Sequence, residues 1–323
     1  HRLSAQPVKA RGTSDAEALT IAGGLWLGFG APTRGPWFAV GLLVPSLVVG
    51  VCAWESAWRG QRSQFAAFNL QNLLRGRKVT ALSRRAKYII ADLDDDQALI
   101  MHLGMSGRFI VTDPRGVSSE PGEFLHENGR DSTHDHVVMH LSNGATVTYN
   151  DTRRFGLMDL APRAELAATK HFKDMGLEPL GNEFDGAALA RLFANKKAPL
   201  KAALLDQRLI AGLGNIYVCE ALFRAGLSPK KKAGIVADGK GAPKPIAHEL
   251  AIIIRDVLNE AIEAGGSTLR DYAHTDGSLG YFQHRFRVYD REGEACLKDG
   301  CKGHVKRLAQ SGRSTFYCPR CQR

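Results

Sequence analysis

Between residues 65 and 160, apolar and polar positions alternate in short runs: Lys78 to Leu82, Tyr88 to Leu93, Ala98 to Leu103, Arg108 to Thr112, His136 to Leu141 and Thr146 to Tyr149. Alternation with a period of two puts one face of each run on a core, and turns separate the runs, so this region predicts an antiparallel β layer. After Pro162 the apolar spacing becomes helical over Asp185 to Phe193, Leu200 to Asp206, Ile216 to Ala225 and Ile246 to Ala264. The stretch from Ala233 to Pro245 is rich in Gly, Lys and Pro and reads as a mobile surface loop. A last strand-like run, His304 to Tyr317, lies between two pairs of cysteines. The pattern is that of an α+β protein without an internal repeat.

Before residue 60 the composition differs. No charged residue occurs from Gly35 to Trp54, and Trp37 to Trp54 is long enough to be a membrane-spanning candidate, which Pro45, Gly41 and Gly50 weaken. The expected organisation is an apolar extension over 1–64, a β domain over 65–161, a helical domain over 162–283 and a metal-binding hairpin over 284–323. The 323 residues carry 43 Lys and Arg against 33 Asp and Glu, a formal charge of +10, and are 44% hydrophobic. More than one core is affordable at that length, and the charge favours a polyanionic partner.

Cys296, Cys301, Cys318 and Cys321 form two close pairs on either side of the strand-like run. Thiolates on two tight turns converge on one Zn²⁺ at about 2.3 Å each, and two such loops have too little apolar surface to fold alone. One structural zinc is expected here rather than two disulfides, because Cys52 and Cys219 stand isolated and no secretory signal is evident.

Within the β layer, the run His102 to Gly107 ends a strand in a glycine-flanked turn that presents Met105. Asp151 to Gly156 places Arg153 and Phe155 two residues apart. Apolar and planar side chains at strand ends are what proteins insert into a base stack. Read singly, each is better explained as a buried Met, a core Phe or an arginine paired with Asp151; it is their conjunction that points to base-stack insertion. Further on, Gly212-Leu213-Gly214-Asn215 opens a helix, whose N-terminal amides make either a phosphate seat or an ordinary corner capped by Asn215. Lys196, Lys197 and Lys201 lie just upstream, where they are expected to neutralise phosphates.

From about residue 65 to the end, roughly four-fifths of its length, the chain resembles formamidopyrimidine-DNA glycosylase. The motifs occur in order: Arg84 to Tyr88, His102 to Gly107, His134 to His136, Asp151 to Gly156, Gly212 to Tyr217, Asp276 with Gly280 to Phe282, and Gly312 to Cys318. The resemblance implies an antiparallel β-sandwich, a helix-two-turn-helix domain and a zinc hairpin. It implies excision of oxidised purines (8-oxoguanine and formamidopyrimidines) from damaged double-stranded DNA, with strand cleavage, by a cytoplasmic, nucleoid-associated monomer. By the same resemblance Met105, Arg153 and Phe155 fill the gap left by the flipped nucleotide. Asn215, Lys87 and Arg313 grip phosphates, His134 and Lys197 are further DNA contacts, and Lys87 and Arg313 act as proton donors in strand cleavage. The segment from Gly266 to Phe282 is similar to the loop that closes over the extruded base.

The family begins Met-Pro-Glu-Leu-Pro-Glu, and its processed N-terminal proline is the nucleophile at C1′. This sequence begins His1-Arg2-Leu3-Ser4 and has no Pro-Glu pair before residue 65. An internal proline nitrogen is an amide without a nucleophilic lone pair. Residues 1 to about 60 are therefore expected to reflect an altered reading frame or start. The alternatives are a membrane anchor at residues 37–54, or a partner-binding extension on a catalytically silent binder of damaged DNA.

Overall fold

The computed structural model describes residues 48–53 (as backbone), 70–119, 131–266 and 282–323. The rest of the expected extension and most of the expected base-closing loop, residues 267–281, lie outside the described residues. The chain divides into two units, His1–Thr169 with Thr268–Gly280 and Lys170–Ser267 with Tyr281–Arg323. The break follows a short 3-10 turn, Arg163–Ala168, that extends the last strand of the first unit, rather than falling at residue 161.

The first unit is built from β1 (Val48–Ala53), β2 (Arg77–Arg85), β3 (Tyr88–Leu93), β4 (Gln97–His102), β5 (Arg108–Thr112), β6 (Ser118–Ser119), β7 (Asp135–Leu141), β8 (Thr146–Asn150) and β9 (Leu157–Pro162). All pairings are antiparallel, in the order β6-β5-β8-β7-β1-β2-β3-β4-β9. Ile89, Ala91 and Leu93 of β3 and Leu99 and Met101 of β4 nevertheless share one cluster with Phe109, Val111, Val147 and Tyr149 of β5 and β8. Strands so far apart in the order meet only if the sheet folds over on itself, which makes the unit a sandwich.

The sheet reaches upstream of the composition break. β1 lies between β2 (Val48↔Lys78) and β7 (Val51↔Met139), so the end of the apolar run Trp37 to Trp54 is a strand. A valine-rich run suits a strand with neighbours on both edges. Among the described residues no helix is long and apolar enough to cross a membrane.

The second unit holds α1 (Gly186–Phe193), α2 (Leu200–Leu205), α3 (Asn215–Arg224) and α4 (Pro245–Glu263). Asp185 caps α1 by accepting the Ala188 N–H at 2.6 Å, and Pro245 opens α4 where its missing N–H costs nothing. Leu189, Phe193, Leu204, Val218, Leu222, Leu250, Ile254 and Val257 form its core. The Ala233 to Pro245 stretch is not a free loop: Ala233 and Val236 are wholly buried in that core. The reason is a 3-10 turn over Ala233–Val236 that brings its apolar positions to one side, against the helices.

A hairpin of β10 (Lys306–Gln310) and β11 (Arg313–Tyr317) completes this unit. Ser311 and Gly312 turn it with φ of 50° and 71°, the left-handed pair that suits the twist of a two-residue hairpin. The hairpin does not depend on a metal alone, since Val305 and Phe316 share a small core with Cys219 and Phe223 of α3. The turn at residues 287–289, upstream of the hairpin, is tied down by Glu220. That wholly buried carboxylate of α3 accepts the backbone N–H groups of Arg287 (2.9 Å), Val288 (3.0 Å) and Tyr289 (2.9 Å). Glu220→Ala should lower unfolding stability by about 3 kcal/mol, from the loss of three charge-assisted bonds, with Glu220→Gln costing less. Urea midpoints of the two variants check this.

Candidate nucleic-acid interface and metal centre

Two turns of the first unit cross from one layer of the sandwich to the other, from β4 to β5 and from β8 to β9. They run side by side because the strands they join are paired at both ends, His102↔Leu157 on one layer and Arg108↔Asn150 on the other. Met105 stands on the first turn and Arg153 and Phe155 on the second. Met105 is 49% exposed and Phe155 58% exposed, so neither is a core residue. The Arg153 guanidinium lies over the Phe155 ring, 5.2 Å from its centroid, a cation–π contact.

Asp151 organises this pair of turns and is fully buried. Its carboxylate accepts the Ser106 hydroxyl from the other turn, the Arg153 N–H at 3.0 Å and the Phe155 N–H at 3.3 Å. The Arg153 N–H also donates to Ser106 Oγ at 3.1 Å. The acid thus holds the backbone of the turn, and the Arg153 guanidinium lies on Phe155 instead of on Asp151. Burial pushes the Asp151 carboxyl above the ordinary range, against the backbone N–H groups of Arg153, Arg154 and Phe155, which favour its charge. Its own backbone is fixed as well: the Asp151 N–H donates to the His134 carbonyl at 2.9 Å, and His136 Nε2 donates to the Asp151 carbonyl at 2.7 Å. Burial, and then the charge of Arg154, push His136 down to about 3.

His134 ends the 3-10 turn Ser132–His134, half-buried, with Nε2 at 3.5 Å from Asp131. Lys87 lies in the tight turn between β2 and β3, after Ala86, whose φ of 52° is left-handed, and is half-buried.

In the second unit, α3 begins at Asn215 without a side-chain cap, so Asn215 is not the capping residue of an ordinary corner. Its amide instead donates to the Ser314 carbonyl at 3.0 Å. The turn before it is braced by Gln207, whose Oε1 accepts the Gly212 N–H at 2.9 Å and whose Nε2 donates to the Leu213 carbonyl at 3.1 Å. Lys201 is not a surface cation. It is wholly buried, and its ammonium donates to the Ser314 carbonyl at 3.1 Å and to Thr315 Oγ1 at 2.7 Å. Burial lowers its pKa from the usual lysine value. The sequence marks Lys201 as a phosphate neutraliser; the fold makes it a brace, because α2 packs inside the core and its lysine reaches the hairpin rather than solvent. Lys201 and Asn215 therefore meet on one carbonyl, next to Arg313. Arg313 and Lys197 are exposed.

Cys296, Cys301, Cys318 and Cys321 bring their sulfurs within 4.8 Å of one another, with Cys296 to Cys321 at 3.7 Å and Cys301 to Cys318 at 3.8 Å. Four ligands at about 2.3 Å around a tetrahedral zinc stand about 3.8 Å apart, so the donor set fits that ion. Burial, and then the neighbouring Cys296 and Cys318 sulfurs, push the Cys321 thiol up, and a divalent cation is what lets four thiolates coexist. Gly303 makes room for them. A Cβ there would stand 2.7 Å from the Cys318 sulfur and 2.8 Å from Arg320 Cβ. Gln322 joins this knuckle to the helical body by accepting the Cys318 N–H at 2.7 Å and donating to the Leu227 carbonyl at 2.9 Å.

Sequence reasoning did not single out Ser106, Gln207 or Glu220, nor Asp151 as a turn-holding acid. The available signal was a lone carboxylate in an otherwise apolar helical run for Glu220, and an Asp two residues before Arg153 for an Asx-type turn.

Two outcomes test these assignments. Cys318→Ser should lose the zinc measured by elemental analysis, and Gly303→Ala should weaken its retention against a chelator. Lowering the pH from 6.5 towards 3 should lower the thermal midpoint, because the unfolded His136 takes up a proton in that window while the folded one does not. His136→Gln should remove that part of the slope.

Similarity to known proteins agrees with this architecture segment by segment. The model for the formamidopyrimidine-DNA glycosylase N-terminal domain matches residues 44–158, that for its H2TH domain residues 175–273, and that for a zinc finger found in FPG and IleRS residues 293–323. Formamidopyrimidine-DNA glycosylase of Methylobacterium sp. strain 4-46 is 65% identical over 250 residues, 77% of this chain and 84% of the relative. That of Beijerinckia indica is 60% identical over 255 residues, 79% of this chain and 86% of the relative. The solved structure of Lactococcus lactis Fpg with DNA containing an abasic site superposes with a TM-score of 0.68 at 28% identity, over 86% of this chain and 93% of that one. With its β-sandwich, its helical domain and its four-cysteine hairpin all accounted for, the chain belongs to the formamidopyrimidine-DNA glycosylase family.

Proposed function

We propose that this protein is a DNA repair glycosylase with strand-cleaving activity, which removes oxidised purines from damaged double-stranded DNA. The observation that carries the reading is the exposed set of Met105, Arg153 and Phe155, held on two adjoined turns of the sandwich. An apolar side chain and a stacked guanidinium–phenyl pair match the shape and the π-face left when a nucleotide leaves the stack. The relatives are named formamidopyrimidine-DNA glycosylase, and the Lactococcus structure holds DNA with an abasic site.

In this reading the second unit grips the sugar-phosphate chain. Arg313 and Lys197 supply cations, and the N-terminus of α3 at Asn215 supplies backbone donors. His134 on the first unit is a further backbone contact. Lys87 and Arg313 hydrogen-bond the phosphate as it departs; Lys87 is the one able to deliver a proton, since a guanidinium keeps its own. Zinc, held by Cys296, Cys301, Cys318 and Cys321, has a structural part: it fixes the hairpin from which Arg313 extends. One chain carries every residue named, so a monomer suffices.

The test is single-turnover incision of a duplex containing 8-oxoguanine, with binding measured on an abasic-site analogue. Arg313→Ala and Lys87→Ala should each slow strand cleavage by about a hundredfold, the scale of a lost electrostatic partner. Wild-type affinity should fall steeply with salt, and Arg313→Ala should flatten the log–log slope by about one. Borohydride trapping in the same reaction separates this reading from that of a silent binder. A covalent adduct belongs to the enzyme, and lesion-selective binding without adduct or incision would replace it with the binder.

A further inference from the structure

The buried acid beneath the exposed set carries an inference of its own, which rests on the reading of Met105, Arg153 and Phe155 as inserting residues. We propose that Asp151 is a positioning residue for lesion recognition, and that its carboxylate sets the spacing between Met105 on one turn and Arg153 and Phe155 on the other.

An ionised carboxylate offers about four acceptor sites. Asp151 uses three of them for the N–H groups of Arg153 and Phe155, from the turn it begins, and for the Ser106 hydroxyl, from the turn that carries Met105. Ser106 is itself 4% exposed, and its oxygen is shared with the Arg153 N–H. The two turns are therefore joined by one acid and one hydroxyl, each directly adjacent in sequence or nearly so to an exposed side chain. Between Arg153 and Phe155, Arg154 takes a φ of 59°, a left-handed conformation unusual for arginine, and this reversal lets successive N–H groups point back at the acid.

The charge is held at a cost. Burial acts against the ionised form of Asp151 more than its donors favour it, so the acid adds less stability than its hydrogen bonds suggest. A buried charge retained against that cost, directly under three solvent-facing side chains, fits a demand for geometry rather than for stability. Asparagine has the same shape but one acceptor oxygen: placed where Oδ1 holds the Ser106 hydroxyl and the Arg153 N–H, it turns an NH₂ donor towards the Phe155 N–H that Oδ2 accepts in the wild type.

The experiment compares wild type, Asp151→Asn, Ser106→Ala, Met105→Ala and Phe155→Ala as full chains. It measures affinity for an abasic-analogue duplex and for the undamaged duplex, and the fluorescence of 2-aminopurine placed opposite the lesion. Asp151→Asn should reduce the preference for the lesion by about tenfold or more, the scale of a misplacement near 1 Å, with a much smaller change on undamaged DNA. Its 2-aminopurine signal should fall as it does in Met105→Ala and Phe155→Ala. If those two variants lose lesion preference while Asp151→Asn and Ser106→Ala keep it, the proposal is overturned and the insertion reading stands. If Met105→Ala and Phe155→Ala also bind the lesion as wild type does, both fall. Should Asp151→Asn fail to bind any DNA, Ser106→Ala decides: lost preference with retained undamaged binding supports the proposal, and unchanged preference overturns it.

Discussion

Turns and short hairpins that reach towards a ligand are not held by apolar packing alone, since their tips have little core beneath them. In this protein they are held by buried charges satisfied chiefly by backbone. Asp151, Lys201 and Glu220 are each 0% exposed. None is placed by an ion pair: Asp151 gathers the N–H groups of its own turn, Lys201 donates to a carbonyl and a hydroxyl of β11, and Glu220 accepts the N–H groups of residues 287–289. A charge bonded to main chain fixes the path of that chain, whereas a charge bonded to another flexible side chain fixes much less. Removing Asp151 or Glu220 leaves backbone N–H groups without their acceptor inside the fold, whereas the Ser314 carbonyl bonded by Lys201 keeps Asn215.

Lys201 and Glu220 hold two parts of the C-terminal region. Glu220 fixes the turn at residues 287–289 upstream of the cysteine hairpin, and Lys201 with Asn215 fixes the strand that leaves the hairpin tip. The four sulfurs close the far end. Arg313 follows directly on the Ser311–Gly312 turn, so its Cα depends on all three anchors while its guanidinium stays in solvent. Such a residue is preorganised at its base and adaptable at its tip.

Much of the architecture was legible in the sequence. Six strands of the sandwich and all four helices follow the apolar spacing closely, because each buries one face and the period records which. β9 was not legible: Leu157–Pro162 ends in proline and lies at the edge of the strand order, where a lost donor is tolerated. β1 was hidden because its run is continuously apolar, without the alternation that marks the other strands, and so resembles a membrane segment. For the candidate site, spacing alone identified the four cysteines, while Met105, Arg153 and Phe155 stood out by their place on turns, with a core reading left open that their exposure closes. The buried charges were illegible. Lys201 reads like any lysine near a phosphate seat, and only contacts more than a hundred residues away, at Ser314 and Thr315, turn it inwards.

The paired crossovers of the sandwich bear on motion as well as on placement. Each of the two turns begins and ends on residues paired across the same two strand couples, His102 with Leu157 and Arg108 with Asn150. Sliding of one layer over the other would displace both turns by the same vector. The distance between Met105 and Phe155 is therefore insensitive to shear of the sandwich, and the probe they form would travel as a rigid tool while the scaffold beneath it flexes.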